Sequence, residues 1–151
     1  MSTKVLFPTV AATILAVMAI YFIVNPSYRK SIEAKYYFEI GEYEEAYNLA
    51  NEAFSLDVYN RMASTIMAQT KTSLKYVKYI NQAKEYMKQI NEIAQAKSIS
   101  DADKAKITMM SKIMVESYSK LAPSIITDKD LVDEAATYYK NFEQLLEKVD
   151  R

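Results

Sequence analysis

The chain has no cysteine, no histidine and no tryptophan among its 151 residues, and only one glycine and three prolines. Without histidine and cysteine it lacks the commonest general base, the thiol nucleophile, disulfide bonds and the two best zinc ligands. The scarcity of glycine and proline leaves few residues for hairpin turns, whereas the abundant alanine, glutamate, lysine, leucine and methionine favour helices. We therefore expect an all-α protein with no catalytic residues, no metal site and no cofactor.

The chain also lacks an excess of charge of either sign. It has 19 basic and 19 acidic residues, so its formal net charge is zero. A balanced chain produces no long-range field that would attract nucleic acid. We therefore expect protein partners and no nucleic-acid partner.

What the sequence does have is a long apolar run near its beginning. Residues 5–24 contain no charged residue, and eleven of these twenty are Val, Leu, Ile or Phe. As a helix the run would be about 30 Å long, the thickness of a bilayer's hydrocarbon core. Its eleven large apolar residues would contribute about −3 to −7 kcal/mol to insertion. The run predicts a transmembrane anchor over residues 1–25.

A cleaved secretory signal is the alternative interpretation of this run. A signal needs a basic beginning and small residues at its cleavage site, but here the run ends IYFIVNPSYRK without a small-x-small pattern. We therefore expect the anchor to be retained as a single pass.

Two further features of the anchor bear on its partners and orientation. One face carries three alanines that would admit a second transmembrane helix closely: Ala12, Ala16 and Ala19. The flanking positive charges are Lys4 and the α-amino group on one side and Arg29, Lys30 and Lys35 on the other. By the positive-inside rule this distribution slightly favours a cytoplasmic carboxy-terminal domain and leaves a periplasmic one open.

The remainder, residues 26–151, has the apolar spacing of helices throughout. Asn25 and Pro26 are typical of a helix start, and Ser100 with Asp103 and Thr127 with Asp130 have the spacing of capping boxes. Six antiparallel helices in three hairpins are predicted, at about 26–40, 43–56, 60–72, 73–96, 101–121 and from the Thr127 cap to 149. The first of them is expected to bury Ile32, Tyr36 or Tyr37, and Ile40.

The single glycine lies in a pattern that resembles a tetratricopeptide repeat over residues 27–60. The residues that carry the resemblance are Ala34, Tyr37, Gly41, Tyr43, Ala46, Ala53, Leu56 and Asp57. In such a hairpin the alanines permit close helix approach, and the glycine takes backbone angles that a side chain would oppose. Three positions depart from the repeat pattern: Lys30, Ala50 and Val58.

The resemblance implies a short stack of helical hairpins. Residues 61–97 match the next repeat poorly and would be a degenerate repeat, and residues 100–151 would be a capping hairpin. Three such units meet the minimum that a helical solenoid needs to bury its faces.

The resemblance also implies a groove that takes a peptide from a partner protein. Carried over residue by residue, its lining positions are Lys35, Phe38, Glu39, Thr65, Gln69 and Thr72. An exposed Phe38 would be an anchor for the peptide, and Tyr79 would be a further partner contact.

Charge is distributed unevenly along the chain. Residues 31–60 contain seven acidic residues and one basic residue, whereas residues 61–90 contain six basic residues and one acidic residue. Attraction between neighbouring helices of the same chain is one interpretation. The other is that the stripe Lys71, Lys75 and Lys78 receives an acidic partner segment or lipid head groups.

Together these features predict a non-catalytic, membrane-anchored adaptor that recruits or stabilises protein partners of a membrane complex. The resemblance implies an accessory of the translocon, envelope-assembly or flagellar-motor type. The alternative is a structural subunit that is permanently buried in a large membrane complex and has no exchangeable client.

Overall fold

The computed structural model describes residues 3–96 and 98–149, and all regular structure in them is helical. The predicted all-α class is confirmed. The six helices of the described residues are α1 Thr3–Val24, α2 Pro26–Glu39, α3 Tyr43–Leu56, α4 Arg61–Ala94, α5 Asp101–Tyr118 and α6 Lys129–Val149. The side chain of Lys4, which entered the orientation prediction, and Lys97, which ends the predicted degenerate repeat, lie outside the described part.

Helix α1 contains the predicted apolar run. From Leu6 to Val24 it is long and apolar enough to cross a membrane, and none of this segment is buried by the rest of the chain. The helix begins at Thr3, and Pro8 lies inside it.

Asn25 alone separates α1 from α2. Its backbone N–H donates to the Tyr21 carbonyl at 2.9 Å and its carbonyl accepts from Arg29 N–H at 3.1 Å. Its side-chain Oδ1 accepts from Ser27 N–H at 3.0 Å, and Pro26 takes the first helical position. The predicted N-cap is confirmed, and the apolar helix passes into the next helix without a linker.

The chain forms two compact units, which divide after Thr70 within the continuous helix α4. In the first unit α2 and α3 form a hairpin whose turn contains Gly41 at φ +84°. A Cβ built at Gly41 would meet no atom within 4 Å. The left-handed backbone therefore requires glycine here, as predicted, and no neighbouring side chain adds to the requirement.

The buried face of α2 differs from the prediction. Ile32 and Ile40 are each 53% exposed, so the expectation that they form the core is wrong. Of the two alternative tyrosines, Tyr36 is 61% exposed and Tyr37 packs against the core. The buried residues of α2 are Ser27, Ser31 and Ala34. Small side chains let α2 approach α3 closely, and the two hydroxyls find hydrogen-bond partners inside.

Those partners converge on Asn60, a fully buried residue just before α4. Its Nδ2 donates to Ser27 Oγ and to Ser31 Oγ, both at 2.8 Å. Ser27 Oγ in turn donates to the Ala53 carbonyl at 2.8 Å. One network of buried polar groups therefore joins α2, the end of α3 and the start of α4.

Helix α4 is continuous from Arg61 to Ala94, so the predicted break between helices at residues 72 and 73 is wrong. This segment contains no glycine and no proline, and Ser73 is fully buried inside the helix. Without a turn, the described residues of the predicted degenerate repeat form no second hairpin. The prediction of three hairpins is therefore wrong.

The second unit packs α5 and α6 with the later part of α4. Its buried apolar residues are Tyr76, Tyr79, Ile80, Ala83, Ile90, Ile107, Met110, Met114, Ala135 and Phe142. Tyr79 is 4% exposed, so the prediction that it contacts a partner is wrong. Its ring lies 5.8 Å from that of Tyr118, which stacks on Tyr139 at 4.5 Å.

The caps of α5 and α6 show how local sequence sets helix ends. Ser100 and Asp103 form the predicted capping box at α5. At α6 the predicted Thr127 cap is wrong. The cap is Asp128, because the Asp130 N–H donates to Asp128 Oδ1 at 2.9 Å. Thr127 Oγ1 instead accepts from the Ser124 N–H at 2.8 Å, within the loop that precedes the helix.

Candidate functional site

A cleft of about 450 Å³ lies between α2 and the beginning of α4 in the first unit. We call it the α2–α4 cleft, and its lining residues are Lys35, Arg61, Met62, Thr65, Ile66 and Gln69. Three of the predicted partner-binding residues, Lys35, Thr65 and Gln69, are brought together here.

The cleft has a polar edge and an apolar floor. Along α4, Arg61, Thr65 and Gln69 follow one another at intervals of four residues and therefore lie in a row. Ile66 is 3% exposed and belongs to the core, whereas Met62 beside it is 39% exposed. A ligand in the cleft would meet hydrogen-bonding groups on one side and apolar surface beneath.

The charge of the cleft comes from two cations on different helices. Lys35 Nζ lies 2.6 Å from Glu39 Oε1, but both side chains are more than half exposed, and exposed pairs of this spacing stabilise a helix by only about 0.3–0.5 kcal/mol. Arg61 is exposed and has no carboxylate within 4 Å among the described residues. The cleft therefore presents cationic groups that are available to a ligand.

The other two candidates on α2 lie outside the lining of this cleft. Phe38 is half-buried and packs against the core of Ala34, Leu49, Ala50 and Ile66, with its ring 5.6 Å from that of Tyr43. The expectation that Phe38 is exposed is therefore wrong, and its role as a partner contact stays a prediction. Glu39 is exposed and reaches the cleft only through its pair with Lys35.

Thr72 and the basic stripe belong to the second unit. Lys71, Lys75 and Lys78 are exposed on α4, and Thr72 is half-buried. Another lysine of α4 in this unit, Lys84, forms an ion pair, with its Nζ 2.9 Å from Glu134 Oε1. In the first unit the ion pairs of the acidic segment are made by lysines of α2, Lys30 with Glu52 and Lys35 with Glu39.

The transmembrane face predicted for a second helix is exposed throughout, at Ala12, Ala16 and Ala19. A separate apolar groove of about 500 Å³ lies at the end of α1. It is lined by Val17, Ile20, Tyr21, Val24, Asn25 and Pro26, and none of the three alanines contributes to it.

The residues that define the repeat pattern occupy the hairpin interior. Ala34, Ala46 and Ala53 are fully buried and Tyr43 is 8% exposed, while Tyr37 packs at the edge of the same core. Any closely packed helical hairpin needs small residues at its contact, so this burial describes the hairpin and not a family.

Titratable groups with shifted pKa values lie away from the cleft. Burial raises the pKa of the Tyr79 phenol, with further contributions from Tyr118 and Tyr139, so the phenol stays protonated at neutral pH. Among the described residues no three acidic groups converge in a way that would hold a metal ion.

Sequence reasoning missed three lining residues, Arg61, Met62 and Ile66. The spacing of four from Thr65 back to Arg61 would have identified the first, once α4 was known to begin there. Met62 and Ile66 share the apolar spacing of α4, which indicates core positions and gives no sign of a cleft.

Comparison with protein-family models, with curated proteins and with solved structures finds no match to this chain. The resemblance of residues 27–60 to a tetratricopeptide repeat therefore remains a prediction from the residues themselves.

Proposed function

We propose that the protein is a non-catalytic adaptor, anchored in a membrane by α1, whose tetratricopeptide-like first unit recruits or stabilises protein partners of a membrane complex. One observation carries the proposal. An apolar helix that no other part of the described chain buries leads, through Asn25 alone, into a packed helical unit with an open cleft. A domain so short a distance from the bilayer meets membrane-bound partners by proximity.

The kind of assembly follows from the predicted resemblance alone. Anchored domains of this type are similar to accessories of translocons, of envelope assembly and of flagellar motors. The second candidate is a structural subunit whose cleft is permanently filled within one complex. It is favoured by the exposed apolar residues Ile32, Tyr36 and Ile40 on α2, because a large interface would cover them.

Purification in mild detergent tests the proposal. We expect a stoichiometric complex whose crosslinked neighbours, identified by mass spectrometry, include residues of the first unit. Recovery of a lone monomer under several mild conditions would contradict both candidates.

Thiol labelling separates the two candidates. Since the chain has no cysteine, Thr65→Cys would introduce its single thiol, at an exposed position in the cleft. An adaptor predicts rapid reaction with a maleimide in native membranes, and a filled cleft predicts protection until the complex is dissociated. Asn48→Cys, on the exposed face of α3, is the matched control outside the cleft.

A further inference from the structure

We infer that the α2–α4 cleft binds an acidic segment of a partner protein, whose carboxylates pair with Arg61 and Lys35 and whose apolar side chain packs on Met62 and Ile66. The inference rests on the proposed adaptor function and names the chemistry of its partner.

The two cations are the first argument. Arg61 and Lys35 come from different helices and line the same cleft, in a unit whose residues 31–60 are otherwise strongly acidic. Arginine recognises carboxylates through two parallel hydrogen bonds, and this one has no carboxylate within 4 Å among the described residues. The Lys35–Glu39 pair is solvent-exposed, so an incoming carboxylate can replace Glu39 with little loss.

The dimensions of the cleft are the second argument. From Arg61 to Gln69 the row of polar residues extends over eight positions of α4, which is about 12 Å. This length matches two turns of a bound helix or about four extended residues. Thr65 and Gln69 supply hydrogen-bonding groups along the row, and the exposed Met62 adapts its shape to an apolar side chain.

Anionic lipid is the competing ligand for the same cations. The basic residues that immediately follow the apolar helix are Arg29 and Lys30, whereas Lys35 and Arg61 lie further along the chain and open into a cleft with an apolar floor. Lipid head groups need no such floor. The arrangement therefore favours a peptide.

Fluorescence anisotropy with the full chain in a neutral detergent tests the inference. The probe is a labelled helical peptide of about 12 residues made of Glu, Leu and Ala, and the matched peptide has Gln in place of Glu. We expect the Glu peptide to bind about tenfold more tightly than the Gln peptide. Added salt should weaken binding of the Glu peptide and leave binding of the Gln peptide unchanged.

Arg61→Glu should lower the affinity of the protein for the Glu peptide by about tenfold. The substitution keeps the fold, because an acidic residue at the first position of α4 stabilises the helix dipole, and thermal unfolding checks this. Lys88→Glu makes the same charge change on the exposed face of α4 in the second unit, outside every candidate binding site, and it should leave the affinity within about twofold.

Three results would overturn the inference: equal affinity for the two peptides, an equal loss with Lys88→Glu, or displacement of the peptide by soluble short-chain phosphatidylserine at equal concentration. These failures are distinct from failure of the proposed function. If a complex is purified from membranes but Arg61→Glu leaves it intact and the peptide does not bind, the adaptor function stands and the acidic ligand is wrong. If the peptide binds but no complex is found, the acidic ligand stands and the adaptor function is wrong.

Discussion

At the scale of single residues, Asn60 connects the helices of the first unit. Its side chain donates two hydrogen bonds to serines of α2, and its Oδ1 accepts the Ala63 N–H of α4 at 3.1 Å. Each of these groups is inside the protein, where an unpaired polar group destabilises the fold by about 1–3 kcal/mol. An asparagine is suited to this position because it is both donor and acceptor.

Asn60→Ala should lower the free energy of unfolding by about 2–4 kcal/mol, through loss of the helix cap and of the two buried hydrogen bonds. Asn60→Asp should be at least as destabilising, although aspartate is a good cap, because it places a charge among hydroxyls that already donate to carbonyls. Urea denaturation of the detergent-solubilised chain measures both. Asn48→Ala on the exposed face of α3 is the control, and a milder effect of Asn60→Asp than of Asn60→Ala would contradict this account.

Gly41→Ala should destabilise the protein by about 1–2 kcal/mol through backbone strain alone, because φ is +84° and the added Cβ meets nothing within 4 Å. Gly41→Asn should be milder than Gly41→Ala, since asparagine adopts left-handed angles more readily. The same denaturation experiment compares them. Equal losses for the two variants would show that something other than the backbone angle is responsible.

At the scale of elements, the helices of this chain end where a cap or a turn residue is present, and α4 continues because it has neither. The sequence prediction placed a break between Thr72 and Ser73. In the structure Ser73 is inside the helix and fully buried. Serine and threonine favour caps but are tolerated within a helix when packing supports it.

Leu74→Pro distinguishes the continuous helix from two separate ones. Proline would be tolerated near the start of a helix that begins at about residue 73, but inside α4 it removes a backbone hydrogen bond and clashes with the preceding turn. We expect it to destabilise the protein by about 3 kcal/mol more than Leu74→Ala does. Circular dichroism during urea unfolding measures the difference, and near-equal effects would favour a break.

The capping box of α5 should make stability depend on pH. The side-chain hydrogen bond from Ser100, and then its backbone N–H, lower the pKa of Asp103 below its ordinary value of 3.8. Because the folded pKa is the lower one, the contribution is complete above the unfolded pKa and is lost as the pH falls through the folded pKa. The stability difference between the native chain and Asp103→Asn should therefore shrink below about pH 4, as unfolding measured from neutral to acidic pH would show. Ser100→Ala should weaken the same acid dependence, because it removes the side-chain donor and keeps the backbone N–H. A difference that is independent of pH would exclude this origin.

At the scale of the whole molecule, the exposed apolar surface is concentrated in α1. Apart from the half-buried Phe22, the large apolar residues from Leu6 to Val24 are 45–75% exposed. Water disfavours such exposure and a bilayer does not. The described chain offers them no other cover. The composition of α1 therefore favours insertion into a lipid bilayer.

We expect the protein to stay in the membrane fraction after carbonate extraction, with an intact mass that includes residues 1–25. Ala16→Arg should reduce the membrane-bound fraction, because an arginine at the helix centre opposes insertion by about 2.5–3.5 kcal/mol, whereas Ala16→Leu should not. A mature protein that begins near residue 25 would instead identify a cleaved signal.

Parts of this molecule could be predicted from the sequence because local chemistry decides them. The apolar run of α1, the N-cap at Asn25, the left-handed Gly41 and the capping box at Ser100 depend on residues within a few positions of one another. Alanine at positions 34, 46 and 53 likewise predicted where helices approach closely.

Other parts were decided only by tertiary structure. Helical spacing allowed two faces of α2, and the face with Ser27 and Ser31 became the buried one because Asn60, some thirty residues away, satisfies both hydroxyls. With that face of α2 buried, Phe38 packs against the core. Because α4 begins at Arg61, this residue joins Lys35 in the lining of one cleft. Periodicity specifies that a helix has a buried side, but which side is buried depends on partners that lie far away in the chain.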